Sequence, residues 1–288
     1  MKNLDELSIT DAVLQSHAGT PDSRTKELVD SVVTHLHAFA REVSLTENEW
    51  LAAIRFLTAV GHKTDDRRQE FILLSDTLGL SSLVTAMSNR KPEECTESTV
   101  LGPFFLTDAP ALSNGGDVAQ GAPGELCFVS GSVRGVHGEP VAGARIEVWQ
   151  ADDDGLYDVQ YEDLDAPRAR AVLLSEPDGS FEFRTIVPRP YPVPYDGPVG
   201  EMPKTLGRRP VRPAHLHFMI SAQAYEPLIT QIFRKDDPNL RSDAVFSVRS
   251  SLVCEWTRHT GGIAPDGSER ETPFTTIAFD FVLAPVRI

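Results

Sequence analysis

His215 and His217 are the residues of this chain whose type and spacing point most directly to chemistry. The apolar segment around them, residues 212–220, is predicted to be a buried strand, on which successive side chains alternate between faces. The two imidazoles therefore share one face. Imidazole is the commonest metal-binding side chain, so the pair can hold one ion. Alone, the pair suits zinc or ferrous iron equally well, and a lone His-x-His on a strand is more often structural.

Two tyrosines could complete such a site. Tyr157 lies in the segment 151–168 and Tyr191 in the proline-rich segment 188–213, both too long to be simple turns. A phenol has a pKa of about 10, so it binds a metal at neutral pH only if a highly charged cation displaces its proton. Two phenolates with two neutral imidazoles favour ferric iron, because anionic oxygen donors stabilise the higher oxidation state. Either tyrosine alone indicates only loop packing.

The elements that must position these side chains are predicted in the second half of the chain. Between residues 126 and 283 apolar side chains recur with a period of two, without a helical pattern between them. Several short strands of this kind predict an all-β sandwich with long loops that can carry a site. The predicted strands cover residues 126–133, 144–150, 169–174, 181–187, 214–221, 228–233, 251–256 and 274–283.

Residues 1 to about 90 show apolar side chains at helical spacing instead. We therefore predict an N-terminal α-helical region, residues 1–105, followed by the β-sandwich domain, residues 106–288. The predicted helices cover residues 23–42, the stretch from a capping box at Thr46 and Glu49 to a closing Gly61, and the stretch from Thr64-Asp65-Asp66 to a closing Gly79.

Composition excludes several classes of partner. The formal net charge is −15, from 27 basic and 42 acidic residues, which disfavours binding to nucleic acid or to an anionic membrane surface. The three cysteines form no CxxC pair and suggest a reducing compartment. The first residues lack a signal-peptide pattern, and no apolar run approaches the length of a membrane span. We expect a cytoplasmic protein without membrane insertion.

The histidine pair and both tyrosines lie in motifs that together resemble the intradiol ring-cleavage dioxygenases. Within that family the chain is most similar to the hydroxyquinol 1,2-dioxygenases, through residues 190–202 and 279–285. The resemblance covers nearly the whole chain. The motifs are Leu101-Gly102-Pro103-Phe104-Phe105, Gly155-Leu156-Tyr157, Ile186-Val187-Pro188, Asp196-Gly197-Pro198, Arg212-Pro213-Ala214-His215-Leu216-His217 and Thr230-Gln231-Ile232.

The resemblance implies one non-haem Fe(III) ion per subunit. Its implied ligands are Tyr157, Tyr191, His215 and His217. We expect three catalytic residues from the same resemblance. Arg212 would stabilise negative charge on the substrate ring, Tyr191 would be displaced by the substrate and take one of its protons, and Gln231 matches the family's active-site glutamine.

Motif registration with the family also implies a substrate pocket. Asp76 is its only acidic member, and it could accept a hydrogen bond from a third substrate hydroxyl. The implied pocket residues are Leu73, Asp76, Val100, Leu101, Gly102, Pro103, Phe104, Val193, Pro194 and Val245.

The leading hypothesis for function is the opening of hydroxyquinol (1,2,4-trihydroxybenzene) with O2 to 3-hydroxy-cis,cis-muconate, the enol of maleylacetate, in aromatic-compound catabolism. A catechol or chlorocatechol 1,2-dioxygenase is the alternative within the class. A non-enzymatic β-sandwich binding module with a structural metal is the alternative from a different class. The resemblance also implies a homodimer joined through the N-terminal helices, with a phospholipid held there.

Overall fold

The computed structural model describes residues 3–65 and 68–286. The chain forms two compact units, residues 1–59 and residues 60–288. The first is helical, and the second contains the β-sheets together with further helices. The predicted fold class, an α-helical N-terminal region followed by a β-sandwich, is confirmed. The domain division between residues 105 and 106 stays a prediction.

The first unit contains helices α1 (Ile9–Ser16) and α2 (Ser23–Glu42) and most of α3 (Glu47–Lys63). The predicted helix over residues 23–42 is confirmed. Its first turn is capped by Asp22, whose carboxylate accepts a hydrogen bond from the Thr25 amide at 2.6 Å. Such a cap satisfies one of the amide groups left free at a helix start. Helix α1 was not predicted.

Helix α3 begins at the predicted capping box. The Thr46 amide donates to Oε2 of Glu49 at 2.9 Å, and the Glu49 amide donates to Oγ1 of Thr46 at 3.3 Å. The predicted end at Gly61 is wrong, because the helix continues to Lys63. A glycine inside a helix costs about 1 kcal/mol relative to alanine, which the surrounding turns of α3 can tolerate.

The helices of the second unit after α3 are α4 (Glu70–Thr77), α5 (Leu80–Ser88) and α6 (Pro198–Thr205). The predicted helix start at Thr64 is wrong, because α4 begins only at Glu70; Asp66 lies outside the described residues. Gly79 does end α4, in the left-handed conformation with φ +77°. In the described ranges no single helix has the length and apolarity to cross a membrane, and only α4 and α5 together, bent by 79°, meet that criterion.

The strands of the second unit agree with most of the predicted ones. In the described residues they are Leu126–Gly135 (β1), Arg145–Trp149 (β2), Arg170–Leu174 (β3), Ser180–Ile186 (β4), Tyr191–Pro192 (β5), Val211–Arg212 (β6), His215–Ser221 (β7), Leu228–Arg234 (β8), Val253–Cys254 (β9), Trp256–His259 (β10), Gly262–Ile263 (β11), Glu269–Arg270 (β12), Phe274–Ala278 (β13) and Phe281–Leu283 (β14).

Two predicted strands are corrected by the structure. The strand over residues 274–283 is divided into β13 and β14 at Phe279 and Asp280, where the Asp280 carboxylate accepts from the Ser132 amide at 2.8 Å. The strand over residues 251–256 begins as a 3-10 turn, Ser250–Leu252, before β9. In both cases the apolar run continues through residues that are not part of a strand.

Two sheets enclose the core. One has the strand order β3-β2-β7-β8-β9, and the other has the order β10-β13-β1-β14 with β4 also paired to β1. Aromatic side chains of the two sheets meet between them, with the Phe218 and Phe281 rings 4.8 Å apart. Leu216, Phe218 and Ile220 of β7 all belong to this buried core. The opposite face of β7 is therefore left for the two histidines.

Candidate active site

Strand β7 holds His215 and His217 near the middle of its sheet. It pairs with β2 on one side and β8 on the other, and both imidazoles are about 1% exposed. Nδ1 of His215 lies 2.7 Å from the Pro213 carbonyl oxygen, so Nδ1 carries the proton and Nε2 keeps a lone pair. The His217 ring stacks on Trp149 at 4.7 Å. The ring orientations are thus set by the sheet and by the residues next to it.

Tyr157 is positioned by the turn that follows it. Its amide donates to Oε1 of Gln160 at 2.9 Å, and its ring stacks on Phe104 at 4.4 Å. The next residue, Asp158, forms a buried ion pair with Arg170, whose Nη2 also donates to the Phe104 carbonyl at 3.1 Å. The loop that carries Tyr157 is therefore tied both to strand β3 and to the Gly-Pro-Phe-Phe segment.

Tyr191 reaches the site on a two-stranded hairpin, β5 with β6, whose long connection, residues 193–210, contains α6. Strand β5 pairs with β6, which places Tyr191 opposite Arg212. Gly155 lies against this hairpin: it has φ +75°, and a Cβ atom there would lie 3.1 Å from Cβ of Tyr191. The Gly-Leu-Tyr motif therefore needs its glycine both for the turn and for the close approach to the second tyrosine.

Four side-chain atoms converge at one point. The Tyr157 hydroxyl lies 3.2 Å from the Tyr191 hydroxyl, 3.4 Å from Nε2 of His215 and 3.1 Å from Nε2 of His217, and the two Nε2 atoms are 3.1 Å apart. Four donors at about 2 Å from one metal ion in a tetrahedral arrangement would be about 3.3 Å apart. The set of predicted ligands is therefore brought together with the spacing that a single ion requires.

The protonation states of these groups also suit a metal. Burial and the charge of Arg212 lower the pKa of His215 to about 3. Burial and His215 hold the pKa of His217 well below its usual value. Both imidazoles are therefore neutral, the form that binds metals. Burial and Tyr191 raise the pKa of the Tyr157 phenol well above its usual value, so only a strongly polarising cation would deprotonate it.

Arg212 and Gln231 lie beside this cluster, as expected. Nη1 of Arg212 is 3.0 Å from Nε2 of His215 and 3.4 Å from the Tyr191 hydroxyl. Burial lowers the pKa of Arg212, but the nearby Asp243 and the tyrosines raise it by more, so the group stays charged. Gln231 does not face the cluster freely: its Oε1 accepts from Arg212 at 2.7 Å, and its Nε2 donates to the Val100 carbonyl at 2.9 Å.

A cavity of about 620 Å³ opens next to Tyr157 and the hairpin of Tyr191. Its volume falls in the usual range for small-molecule sites. It is also bordered by Tyr195, which is 58% exposed and lies outside the ligand cluster. The predicted pocket residues that line it are Leu73, Pro103, Phe104 and Pro194.

The other predicted pocket residues do not line that cavity. Val193 and Val245 are buried in one apolar group with Leu73. Leu101 packs in the group that contains both tyrosines. A Cβ atom on Gly102, which has φ +79°, would lie 3.2 Å from Cε1 of His217.

Val100 contributes its carbonyl to Gln231, and Asp76 is 6% exposed on α4. Burial raises the pKa of Asp76, whereas a hydrogen bond from Ser81 and the charge of Arg212 lower it, with a net increase. Its carboxyl group therefore interacts with the charge of Arg212, which lies beside the cluster.

Three residues that contact the cluster or Arg212 were not predicted from the sequence. Asp243 and Ser247 bond to Arg212 across 31 and 35 positions of sequence, and Trp149 stacks on His217. No spacing rule links residues so far apart. The contact of Trp149 with His217 could not be predicted, because it depends on the pairing of β2 with β7, which places the two residues opposite each other.

Comparison with known proteins identifies the family. A family model described as "Dioxygenase" matches residues 100–285, and one described as "Catechol dioxygenase N terminus" matches residues 22–96. The chain is 56% identical over 285 residues to the 6-chlorohydroxyquinol 1,2-dioxygenase of Cupriavidus pinatubonensis, with 99% of each chain covered. It is 51% identical to the hydroxyquinol 1,2-dioxygenase of Nocardioides simplex, and the alignment covers 97% of this chain and 96% of the Nocardioides protein.

The structural comparison agrees. The crystal structure of hydroxyquinol 1,2-dioxygenase from Pseudomonas putida DLL-E4 superposes with a TM-score of 0.92 at 44% identity, covering 98% of this chain and 99% of that one. The chain therefore belongs to the intradiol ring-cleaving dioxygenases, enzymes that use non-haem iron. Among them it is similar to proteins named for hydroxyquinols, and the predicted recognition of the family is confirmed. A non-enzymatic binding module is excluded.

Proposed function

We propose that the protein is a non-haem Fe(III) intradiol dioxygenase that cleaves hydroxyquinol with O2 to 3-hydroxy-cis,cis-muconate, the enol of maleylacetate, in the catabolism of aromatic compounds. The observation that carries this proposal is the convergence of two tyrosine hydroxyls and two histidine Nε2 atoms. The Tyr157 hydroxyl lies 3.1–3.4 Å from the other three atoms, and the two Nε2 atoms are 3.1 Å apart. Both atoms of O2 enter the product, so the reaction needs no reducing cofactor.

The proposed ligands are Tyr157, Tyr191, His215 and His217, with one ion per subunit. Ferric iron would supply a Lewis acid for the two vicinal oxygens of the substrate and an acceptor for electron density from its ring. The donor set fits that ion, because buried phenols yield their protons only to a hard cation of high charge. Two neutral imidazoles add no negative charge.

Tyr191 is the proposed base. Tyr191 lies on a two-residue strand, and its hydroxyl is 3.4 Å from Nη1 of Arg212. The substrate would displace the Tyr191 phenolate, which would then take one substrate proton. Arg212, charged and 4% exposed, would face the negative charge that the deprotonated ring develops. Gln231 would act by holding Arg212 and the Val100 segment, since its amide bonds to both.

The hydroxyquinol preference is assigned to Asp76. Asp76, a buried acceptor that feels the charge of Arg212, would bond to the third hydroxyl of hydroxyquinol, a bond that catechol cannot make. The names of the relatives support the same substrate class, including chlorinated forms. The catechol or chlorocatechol alternative is tested by a panel of catechol, chlorocatechols and hydroxyquinol under O2, with product identification. Equal turnover of catechol and hydroxyquinol would contradict the preference, and extradiol products would contradict the reaction.

We also propose a homodimer joined through the N-terminal helices, with a bound phospholipid, in the cytoplasm. Helix α2 supports the dimer, because its apolar side chains at helical spacing stay at least half exposed. They are Leu28, Val32, Leu36 and Phe39. Sedimentation velocity at micromolar concentration, lipid extraction with mass spectrometry, and cell fractionation test the three parts separately. A monomer would contradict the dimer.

A further inference from the structure

The guanidinium of Arg212 is held along one edge by the protein. Nε donates to Oδ1 of Asp243 at 3.2 Å, and Nη2 donates to Oε1 of Gln231 at 2.7 Å and to Oγ of Ser247 at 2.5 Å. Only Nη1 points to the cluster of tyrosines and histidines. An arginine has five N–H groups in a fixed planar fork. Fixing Nε and Nη2 therefore fixes where Nη1 lies.

Asp243 and Ser247 belong to one tight turn. Oδ2 of Asp243 accepts from the Ser247 amide and from the Ser247 hydroxyl, each at 2.8 Å. Between them Phe246 adopts a left-handed conformation with φ +57°. A non-glycine residue in this region is strained and persists only where its surroundings enforce it. The two side chains that bind Arg212 are thus set relative to each other by the backbone of the turn.

The same network reaches two of the predicted pocket residues, Val245 and Val100. The Val245 amide donates to Oδ1 of Asp243 at 3.3 Å, and Gln231 connects Arg212 to the Val100 carbonyl. The bonding groups of Asp243 and Ser247 are enclosed, since the two residues are 6% and 0% exposed. One buried network therefore links the arginine to two of the predicted pocket residues.

We propose that Asp243 and Ser247 are positioning residues, which orient Arg212 so that Nη1 alone faces the substrate and the ligand cluster. The proposal rests on the proposed function for its catalytic consequence, although the orientation itself does not depend on that function. In this role the turn acts on the reaction step and leaves the iron ligands unchanged. A structural role alone would lower stability without a selective effect on kcat.

The test compares Asp243→Asn and Ser247→Ala with a matched control, Ser175→Ala. The amide introduced by Asp243→Asn has a single acceptor oxygen, so it can no longer accept both from Nε of Arg212 and from Ser247. Ser175 is a buried serine of the same kind: its Oγ donates to the Val141 carbonyl at 2.6 Å and accepts from the Ala144 amide at 2.8 Å. It makes no bond to Arg212. The Ser175→Ala variant therefore measures the effect on stability of removing a buried hydroxyl.

In the iron-loaded enzyme we expect both variants of the turn to lower kcat for hydroxyquinol about 10- to 100-fold, as the loss of an orienting partner typically does. KM and the visible absorption band of the ferric protein should change little. Ser175→Ala should keep its kcat even where its melting temperature falls. A kcat of Ser247→Ala equal to that of Ser175→Ala would overturn the proposal. If Asp243→Asn does not fold, the kinetic test rests on Ser247→Ala alone.

A second readout needs no iron and no turnover. In the metal-free protein, 15N NMR should show an Arg212 Nε–H signal that is protected from solvent exchange in the wild type and in Ser175→Ala. Protection should fall in Asp243→Asn, or in Ser247→Ala if the former does not fold. Unchanged protection would overturn the proposal. If the wild type fails to cleave catechols, the proposed function fails, and this measurement still decides the orientation.

Discussion

Nη1 of Arg212 lies 3.0 Å from Nε2 of His215, the atom through which His215 would bind iron. A neutral imidazole has one lone pair on that nitrogen, so it cannot accept from Arg212 and bind a metal at once. Iron binding would therefore release Nη1 from His215. The released N–H group would then be available to an anionic substrate bound next to the ion.

Iron removal should lower the stability of the protein. Metal binding to the folded state alone stabilises it by mass action, by about 4 kcal/mol when free metal exceeds Kd 1,000-fold. We expect chelation to bleach the visible colour of the protein and to lower its melting temperature, with recovery of both on adding ferric iron. Calorimetry and absorption spectroscopy check this. A colourless protein as purified, holding only zinc, would contradict the ferric assignment.

Tyr157→Phe should lower bound iron by at least about 10-fold and shift or abolish the visible band, because it removes an anionic ligand. The phenyl ring can keep the stacking on Phe104, so the loss of folding stability should be only about 1 kcal/mol. Iron analysis and thermal unfolding measure the two effects. The control is Tyr195→Phe, an exposed phenol at the border of the same cavity. Equal iron content in the two variants would exclude Tyr157 as a ligand.

Gly102→Ala should disturb the site beyond its cost to the backbone. An alanine with φ near +79° costs about 1 kcal/mol, and its Cβ would also press on Cε1 of His217 at 3.2 Å. Gly138→Ala supplies the control, because Gly138 has φ +82° with nothing within 4 Å of a Cβ atom. Both variants should unfold more easily, but only Gly102→Ala should lose iron affinity. A similar iron affinity in both would show that His217 tolerates the contact.

Asp76→Ala should reduce the ratio of kcat/KM for hydroxyquinol to that for catechol by about 10-fold or more, because a buried hydrogen-bond partner of the third hydroxyl is lost. Steady-state rates with both substrates measure this ratio. Asp154→Asn is the control, since Asp154 lines the cavity but is exposed. A fall in kcat/KM by the same factor for both substrates would indicate that Asp76 supports the fold and does not discriminate between the substrates.

Periodic patterns in the sequence predicted the elements that carry half of the site. Strand β7 and helix α2 were predicted almost to the residue, because a sustained period of two or of 3.6 reflects one buried face. Helix α6 was missed inside a segment read as a loop. Its prolines suggested irregular structure, yet Pro198 stands at the first helical position, where its missing amide costs nothing.

The remainder of the site could not be derived from local pattern. Only the family resemblance assigned Tyr157 and Tyr191 to the same site as the histidines, since each alone is an ordinary loop tyrosine. The Asp243–Ser247 turn gave no signal, because its function depends on a side chain more than 30 positions earlier. Contacts of that range are set by sheet pairing and loop packing, which short spacing rules do not contain.

The two kinds of proposed ligand are attached to the protein with unequal stiffness. His215 and His217 lie on a seven-residue strand paired on both sides, whereas Tyr191 lies on β5, a two-residue strand paired only with β6. The hairpin can therefore serve as a hinge. The phenol that we propose the substrate displaces can swing away while the strands of the sandwich keep their pairing, so hydrogen exchange during turnover should be faster along that hairpin than along β7.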